Sequence, residues 1–401
     1  MNPRLFLFAL LALAVPSFLA AQTFTLVHSF QGPPDGGIPI GTLIGDNAGN
    51  IYGTTEGGGG SQCLSGFIYG CGTIFKVDPS GQETILHSFT DQPDGANPVA
   101  GLTIGPRATA VGTTSAGGAN GFGSIYSINA AGLVILYSFT GGPDGASPVA
   151  PLLRDAANNL YGTSLQRGGF SCGEGCGTVF KLSSKDQESV LYGFSGVGGD
   201  GASPYAGLIR DSSGNLYGTT VAGGDGFGTV FEVNPQGIET VLYSFKGGRD
   251  GGSPWAGLLL DASHRVLYGT TSLGGDFNQG TVFKITGLGK ETVIYSFRGS
   301  PDGANPGYGT LLPDAAGNLY GTTAAGGNQN GNCFDSSCGT VFKLSHHPNG
   351  TWTETVLYSF TGGNDGDSPQ GGLFRDPSGA LWGTASSGGA FGAGTIFKIA
   401  P

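Results

Sequence analysis

Short apolar runs separated by glycine-rich polar segments follow one another along most of the chain. Four of them recur in a fixed order, GLLRD, NLYGTT, GTVFKL and ETVLYSF. Alternation of apolar and polar positions, together with many Val, Thr, Tyr and Phe residues, predicts β-strands, which we name a, b, c and d in that order. The segments between them, such as DAAGN and NPQGIE, have the Gly, Asn, Asp and Pro content of turns.

This four-strand unit occurs seven times, at intervals of about fifty residues, which is the length of a β-propeller blade. The last phenylalanine of run d marks each copy: Phe30, Phe89, Phe139, Phe194, Phe245, Phe297 and Phe360. No convincing amphipathic helix interrupts the series. We therefore predict an all-β fold, a seven-bladed β-propeller with four-stranded blades.

The two ends of the repeat region complement each other. The region begins with a d-type run, TFTLVHSF at 23–30, and finishes with a c-type run, GTIFKI at 394–399. The last blade therefore lacks a d strand of its own. We predict that the N-terminal strand supplies it, which closes the ring and protects a strand edge that would otherwise be open. Residues 22–401 then form a single domain of seven repeats.

The first 21 residues have the features of a secretory signal peptide. Arg4 is the positively charged residue, an apolar segment covers 5–15, and small residues end the segment at Ala20 and Ala21. This segment is too short for a transmembrane helix, and no later run is long enough to span a membrane. We predict a secreted or cell-surface protein.

A loop of the form DG-x-x-P joins each strand d to strand a of the next blade. Its glycine accommodates a positive φ, its aspartate caps the turn, and the small residues after the proline fit near a crowded axis. A second interpretation is a ring of carboxylates that binds Ca²⁺ or polyols, but Ca²⁺ requires six to eight oxygens in one small shell. We favour the structural interpretation for all seven aspartates: Asp35, Asp94, Asp144, Asp200, Asp250, Asp302 and Asp365.

The combined series D-G-A-S-P, G-N-L-Y-G-T-T, G-G and G-T-V-F-K resembles the GloVer tandem repeat of choice-of-anchor tandem repeat GloVer-containing proteins. The similarity extends over nearly the whole repeat region. The resemblance implies an exported protein built from β repeats, and it implies no activity and no functional residue. The chain ends at GTIFKIAP, without a sorting tail, so we expect release rather than attachment.

Composition and charge restrict the partners. The chain has 79 glycines, only 11% charged residues and a formal net charge of −11 at pH 7. An acidic chain with so few Lys and Arg residues is a poor ligand for nucleic acid or anionic membranes. We expect an extracellular glycan or protein as the partner, a monomer, and no cofactor.

Six cysteines form three closely spaced pairs, each in a loop between strands b and c. Because the protein is expected to be exported, we predict three local disulfides rather than a metal site. The pairs are Cys63 with Cys71, Cys172 with Cys176, and Cys333 with Cys338.

Candidate catalytic groups are few. His28 and His87 occupy the position that holds Tyr in LYSF, and no cluster of His and carboxylates is apparent along the sequence, so we predict no metal site and no Ser-His-Asp site. Glu56 and Glu174, both in b–c loops, are the candidates for an acid/base pair in glycoside cleavage. Solvated loop carboxylates are the alternative, and we assign no catalytic residue.

Aromatic residues distinguish one side of the ring. Blades 4, 5 and 6 have Tyr205, Trp255 and Tyr308 at or next to the position after the loop proline. Such flat, amphipathic side chains suit carbohydrate or peptide ligands, whereas packing between blades is the alternative. We predict a non-enzymatic binding module that uses the face with the long loops. The two alternatives are a hydrolase or lyase acting on polysaccharides and a purely structural surface protein.

Overall fold

The computed structural model describes residues 22–60, 63–65, 68–106, 109–168, 176–261, 263, 265–287, 289–328, 333 and 338–400. The described chain contains no α-helix and forms seven small antiparallel sheets arranged as a propeller, as predicted. The predicted signal peptide, 1–21, lies outside the described residues. Within the described part, no helix combines the length and apolar character needed to cross a bilayer.

Each blade contributes strands a to d in chain order, with a innermost. Strand b of blade 6 continues into the loop beyond it. The strands of blades 1 to 7 are, in order, Ile44–Gly45, Ile51–Thr55, Thr73–Val77, Glu83–Ser88; Thr103–Ile104, Ala110–Thr114, Ser124–Asn129, Gly132–Ser138; Leu153–Arg154, Leu160–Ser164, Thr178–Leu182, Glu188–Gly193; Ile209–Arg210, Leu216–Thr220, Thr229–Val233, Glu239–Ser244; Leu259–Leu260, Val266–Thr271, Thr281–Thr286, Lys290–Ser296; Leu312–Pro313, Leu319–Gly326, Thr340–His346, Trp352–Ser359; and Phe374–Arg375, Leu381–Ala385, Thr395–Ala400, with Thr23–Ser29 as the last strand d.

The ring closes through the N-terminal strand. Thr23–Ser29 pairs antiparallel with Thr395–Ala400, so that Thr23 lies opposite Ala400 and Ser29 opposite Thr395. The prediction that the N-terminal strand completes the last blade is therefore confirmed. Each of the seven blades has an outer strand d.

The core consists of aromatic contacts between neighbouring blades. The phenylalanine that ends each strand d packs against the aromatic ring of strand c in the next blade, with ring centroids 5.0–5.2 Å apart at all seven junctions. Both rings of every pair are fully buried, as with Phe30 and Phe75. Buried rings of this size dominate the apolar stabilisation of a domain, so each blade depends on its neighbour for its core.

Threonine hydroxyls add a second contact between blades. In five blades the first Thr after the glycine of strand b donates a hydrogen bond to a backbone carbonyl of the next crossover loop, for example Thr54 to Ala100 at 2.8 Å and Thr219 to Ala256 at 3.1 Å. In blades 1 to 6 the hydroxyl that follows it bonds to the first hydroxyl of strand c in the same blade, as between Thr55 and Thr73 at 2.7 Å. These hydroxyls are buried, so their partners satisfy groups that water does not reach.

The crossover loops also pair with the b–c loops, which was not predicted. Gly36–Gly37 pairs with Gly57–Gly58, and Gly201–Ala202 pairs with Ala222–Gly223; in blade 6, Gly303–Pro306 joins the extended strand b. Isolated bridges replace these pairs in the other four blades. A further two-stranded pair, Leu64–Ser65 with Ile68–Tyr69, lies in the long loop of blade 1. The two sets of loops therefore form one connected face, which we call the long-loop face.

The a strands are shorter than predicted, with only two paired residues each. The glycine-rich residues before them approach the neighbouring blade too closely for regular pairing and for side chains. A Cβ on Gly101 would lie 2.5 Å from the carbonyl oxygen of Thr42, and one on Gly41 would lie 2.8 Å from the backbone nitrogen of Gly101. Crowding at the axis therefore explains both the small residues and the short strands.

Candidate functional site

The seven crossover loops bring the residues after their prolines to one end of the central channel, which we call the channel mouth. Below the mouth the Gly- and Ala-rich segments of neighbouring blades enclose a cavity of about 50 Å³. Its wall includes Ile40, Val99 and Val149 on one side and Tyr205 and Tyr308 on the other. None of the described residues that line this cavity has a carboxylate, an imidazole or a basic group.

Tyr205, Trp255 and Tyr308 form one cluster at the channel mouth. The ring centroids of Tyr205 and Trp255 are 4.9 Å apart, those of Tyr205 and Tyr308 are 5.1 Å apart, and those of Trp255 and Tyr308 are 5.4 Å apart. All three side chains are partly exposed. These distances are typical of aromatic rings in contact, so three blades contribute to a single amphipathic surface.

Glu56 is close to this aromatic cluster although it comes from blade 1. Burial, followed by the charges of Tyr308 and Glu56, raises the pKa of Tyr205; burial and then the charge of Glu56 raise the pKa of Tyr308. Both phenols are therefore protonated at neutral pH and offer O–H donors. Neither phenol makes a hydrogen bond to another described residue. Glu174, the other acid/base candidate, lies outside the described residues.

The aspartates of the DG-x-x-P loops are engaged within their own turns. Asp144 accepts hydrogen bonds from the Tyr137 hydroxyl at 3.0 Å and from the backbone N–H and hydroxyl of Thr140 at 2.7 and 2.5 Å. Asp200 likewise accepts from the backbone and hydroxyl of Ser195. Because these bonds use the carboxylate oxygens locally, the structural interpretation of the aspartates accounts for their recurrence.

His28 and His87 lie in strands, in the position that holds Tyr elsewhere, and each contacts a loop aspartate. The Nε2 atom of His28 is 3.3 Å from Asp35, and that of His87 is 2.8 Å from Asp94. Sequence reasoning missed these contacts. A signal existed, because a constant spacing of seven residues separates the Tyr or His from its aspartate in six repeats.

Two of the three predicted disulfides lie within the described residues. Cys63 is bonded to Cys71, and Cys333 is bonded to Cys338, each within one b–c loop. Cys176 is disulfide-bonded as well, and Cys172 lies outside the described residues. The bonds close loops on the long-loop face and do not link one blade to another.

The closed ring, its narrow channel and its joined loops define the chain as a β-propeller protein. A family profile of the Gloeobacter/Verrucomicrobia repeat matches residues 17–174, 62–263 and 228–401. The chain therefore belongs to this repeat family, and the resemblance to the GloVer repeat is confirmed. No curated protein sequence matches the chain.

Solved structures with a similar fold include a candidate 6-phosphogluconolactonase from Bacteroides uniformis, at 15% identity and a TM-score of 0.50 over 86% of this chain and 88% of that one. A second candidate 6-phosphogluconolactonase, from Bacteroides fragilis, has 16% identity and a TM-score of 0.48 over 92% and 90%. A gluconolactonase from Xanthomonas campestris has 14% identity and a TM-score of 0.42 over 73% and 82%. At such identities the similarity concerns the propeller fold alone.

Proposed function

We propose that this protein is an exported carbohydrate-binding propeller whose ligand rests on Tyr205, Trp255 and Tyr308 at the channel mouth. The observation that carries the proposal is the mutual contact of the three partly exposed rings, contributed by consecutive blades. Sugars present C–H faces that pack on aromatic rings and hydroxyls that need polar partners. A cluster of rings with polar edges offers both kinds of contact.

The polar groups around the cluster support a carbohydrate rather than a purely apolar ligand. The hydroxyls of Tyr205 and Tyr308 are available as donors, and the Glu56 carboxylate adds negative charge near these rings. A few convergent polar groups on an otherwise apolar surface are typical of small-molecule sites. The acidic charge of the chain disfavours anionic ligands at the same surface.

The size of the channel favours binding at its mouth over chemistry inside it. Small-molecule pockets measure about 300–1,000 Å³, whereas the cavity here measures about 50 Å³. The cavity also offers no acid, base or metal ligand among the described residues that line it. Hydrolysis of a sugar or lactone by Glu56, which lies outside this cavity lining, is the second candidate function. The lactonase activity in the names of the structural neighbours is said of those proteins only.

The first experiment is a glycan-array screen of the purified protein, followed by calorimetric titration of the glycans that bind. Trp255→Ala should weaken binding by about 1–4 kcal/mol, as removal of a central aromatic contact does, and Trp255→Phe should keep most of the affinity. Phe391→Ala is the matched control, because Phe391 is 60% exposed in a b–c loop of the same face but belongs to blade 7. Circular dichroism should show an unchanged fold for all three variants.

Each outcome discriminates between the functions considered. Binding that Trp255→Ala weakens and Phe391→Ala preserves supports the proposal. Release of new reducing ends or of free acid from a bound sugar favours the hydrolase. Absence of binding to any glycan, or equal losses in both alanine variants, contradicts a carbohydrate site at the channel mouth and leaves a protein partner or a structural role.

A further inference from the structure

The outer groove between neighbouring blades contains a recurring set of polar residues. A Tyr of strand d and the aspartate of the following loop meet a Glu from strand d of the next blade. Four junctions share this Tyr–Asp–Glu set: Tyr137, Asp144 and Glu188; Tyr192, Asp200 and Glu239; Tyr243, Asp250 and Glu291; and Tyr295, Asp302 and Glu354. The set varies at the remaining three junctions.

The junction that closes the ring is one of these exceptions, because His28 replaces the tyrosine. His28, Asp35 and Glu83 each offer a ligand atom, and the three atoms lie within 4.8 Å of one another. The Nε2 atom of His28 is 3.3 Å from Oδ2 of Asp35. Oε1 of Glu83 is buried and has no hydrogen-bond partner. A nitrogen and two carboxylates therefore converge where five of the other junctions present a phenol.

We propose that His28, Asp35 and Glu83 bind a divalent transition-metal ion, with Zn²⁺ as the best match. Zn²⁺ takes imidazole nitrogen and carboxylate oxygen at about 2.0–2.2 Å in a tetrahedral arrangement. Two ligands of such a tetrahedron are about 3.3–3.6 Å apart, which agrees with the 3.3 Å between Nε2 of His28 and Oδ2 of Asp35. The ligand atom of Glu83 lies within 4.8 Å of those of His28 and Asp35, and water would complete the fourth position.

The surroundings of the three residues suit a metal site. The side chains of His28 and Asp35 are 18% and 15% exposed, so an ion can reach them from solvent. The backbone N–H groups of Gln31 and Gly36 donate to Asp35 at 3.0 and 2.7 Å and fix its orientation. Supporting hydrogen bonds of this kind orient metal ligands in proteins.

The three ligands come from both sides of the junction between the N-terminal strand and blade 1. His28 belongs to the N-terminal strand, Asp35 to the first crossover loop and Glu83 to strand d of blade 1. An ion held by all three therefore ties the strand that completes blade 7 to blade 1. Because a ligand that binds only the folded state stabilises it, Zn²⁺ should raise the melting temperature.

The chain provides an internal control for this site. His87 contacts Asp94 in the same way, but Leu133 occupies the place of the glutamate in blade 2. His87 and Asp94 thus offer only two ligands, too few for a zinc site. Among the described residues the other group of three candidate ligands contains Cys333 and Cys338, which are already joined to each other.

The test is a titration of the full-length, chelator-treated protein with ZnCl₂, followed by calorimetry and by thermal melts with and without Zn²⁺. His28→Tyr introduces the residue that five other junctions have, so it should fold normally, and it should weaken saturable binding at least tenfold. Glu83→Gln should do the same while keeping the shape of the side chain. His87→Tyr should bind Zn²⁺ as the unaltered protein does.

The expected result is one saturable site that raises the melting temperature in the unaltered protein and in His87→Tyr, and in neither of the other two variants. Absence of saturable binding by the unaltered protein overturns the proposal. Binding that survives in both His28→Tyr and Glu83→Gln, or that is lost in His87→Tyr, also overturns it, since the ion then binds elsewhere.

Discussion

At the scale of single residues, the half-buried glutamates of strand d are unusual because their charge is disfavoured. Burial, and then the negative charge of the loop aspartate in the adjacent blade, raises the pKa of each from its ordinary value of 4.5 to about 7. One oxygen of each carboxyl group is buried without a hydrogen-bond partner. These glutamates are Glu188, Glu239, Glu291 and Glu354; Glu83, which belongs to the proposed metal site, is left aside.

These glutamates should make the protein less stable as the pH rises from about 4.5 to about 7. The folded state holds the proton up to about pH 7, whereas the unfolded chain releases it near pH 4.5, so the unfolded state binds fewer protons in that window. The free energy of unfolding therefore falls across the window and levels off above it. Denaturant titrations at a series of pH values measure this slope.

Glu239→Gln isolates one contribution to that pH dependence. The neutral amide cannot acquire the unfavourable charge, so the variant should be more stable than the unaltered protein at pH 8 by about 1 kcal/mol, a figure reduced for the solvent that reaches half of the side chain. At pH 5 the two proteins should differ little. A variant that is equally stabilised or destabilised at both pH values would contradict the assigned pKa.

At the scale of elements, strand b is tied to the next crossover loop by a single buried hydroxyl. Thr219→Val removes the hydrogen bond to the Ala256 carbonyl and leaves that carbonyl without this donor, which should lower the free energy of unfolding by about 1–2 kcal/mol. Denaturant unfolding monitored by fluorescence measures the loss.

Thr384 provides the matched control for Thr219. It occupies the same place in blade 7 and is equally buried, but its hydroxyl has no partner. Thr384→Val should therefore be neutral or stabilising, because an apolar group replaces an unsatisfied one. Equal destabilisation by the two valine variants would show that the hydroxyls contribute through packing instead.

The elements themselves could be predicted because local signals repeat in every unit. The alternation in GTVFK and the turn residues in NPQGIE indicate strands and turns without reference to the rest of the chain. Contacts between blades could not be predicted in the same way. The convergence of Glu83 with His28 depends on how blades are rotated about the axis, as does the effect of the Glu56 charge on the pKa of Tyr205, and no local sequence pattern encodes that rotation.

The aromatic cluster was only partly accessible to sequence reasoning. Tyr205 and Trp255 each follow the proline of a crossover loop, so the sequence predicts that they occupy corresponding places in two blades. Their mutual contact, and that of both with Tyr308, follows from the narrowness of the channel, which brings the crossover loops of consecutive blades close together. Whether the cluster binds a ligand stays a prediction.

At the scale of the whole molecule, closure depends on one strand of seven residues, Thr23–Ser29. Deletion of residues 23–30 should expose the edge of Thr395–Ala400 and remove Phe30 from its contact with Phe75. We expect aggregation or the loss of cooperative unfolding, because an unpaired edge promotes intermolecular pairing. Size-exclusion chromatography and thermal melts provide the measurement.

A circular permutant separates the loss of the strand from a change of chain ends. Thr23 lies opposite Ala400, so a short turn can join them, and new ends can be opened in the exposed turn of blade 3 between strands c and d, near Lys185. This permutant keeps every strand and should remain monomeric and cooperative. A deletion variant that behaves like the permutant would show that the N-terminal strand is dispensable.

Pairing of the first strand with the last also sets an order of events during synthesis. The strand that is made first finds its partner only after residues 395–400 have emerged, so it must wait unpaired while six blades form. Contacts between such distant parts of a chain form slowly, and an unpaired strand is prone to pair with other chains in the meantime. A chain that lacks residues 395–400 therefore cannot complete the ring, because the N-terminal strand then has no partner.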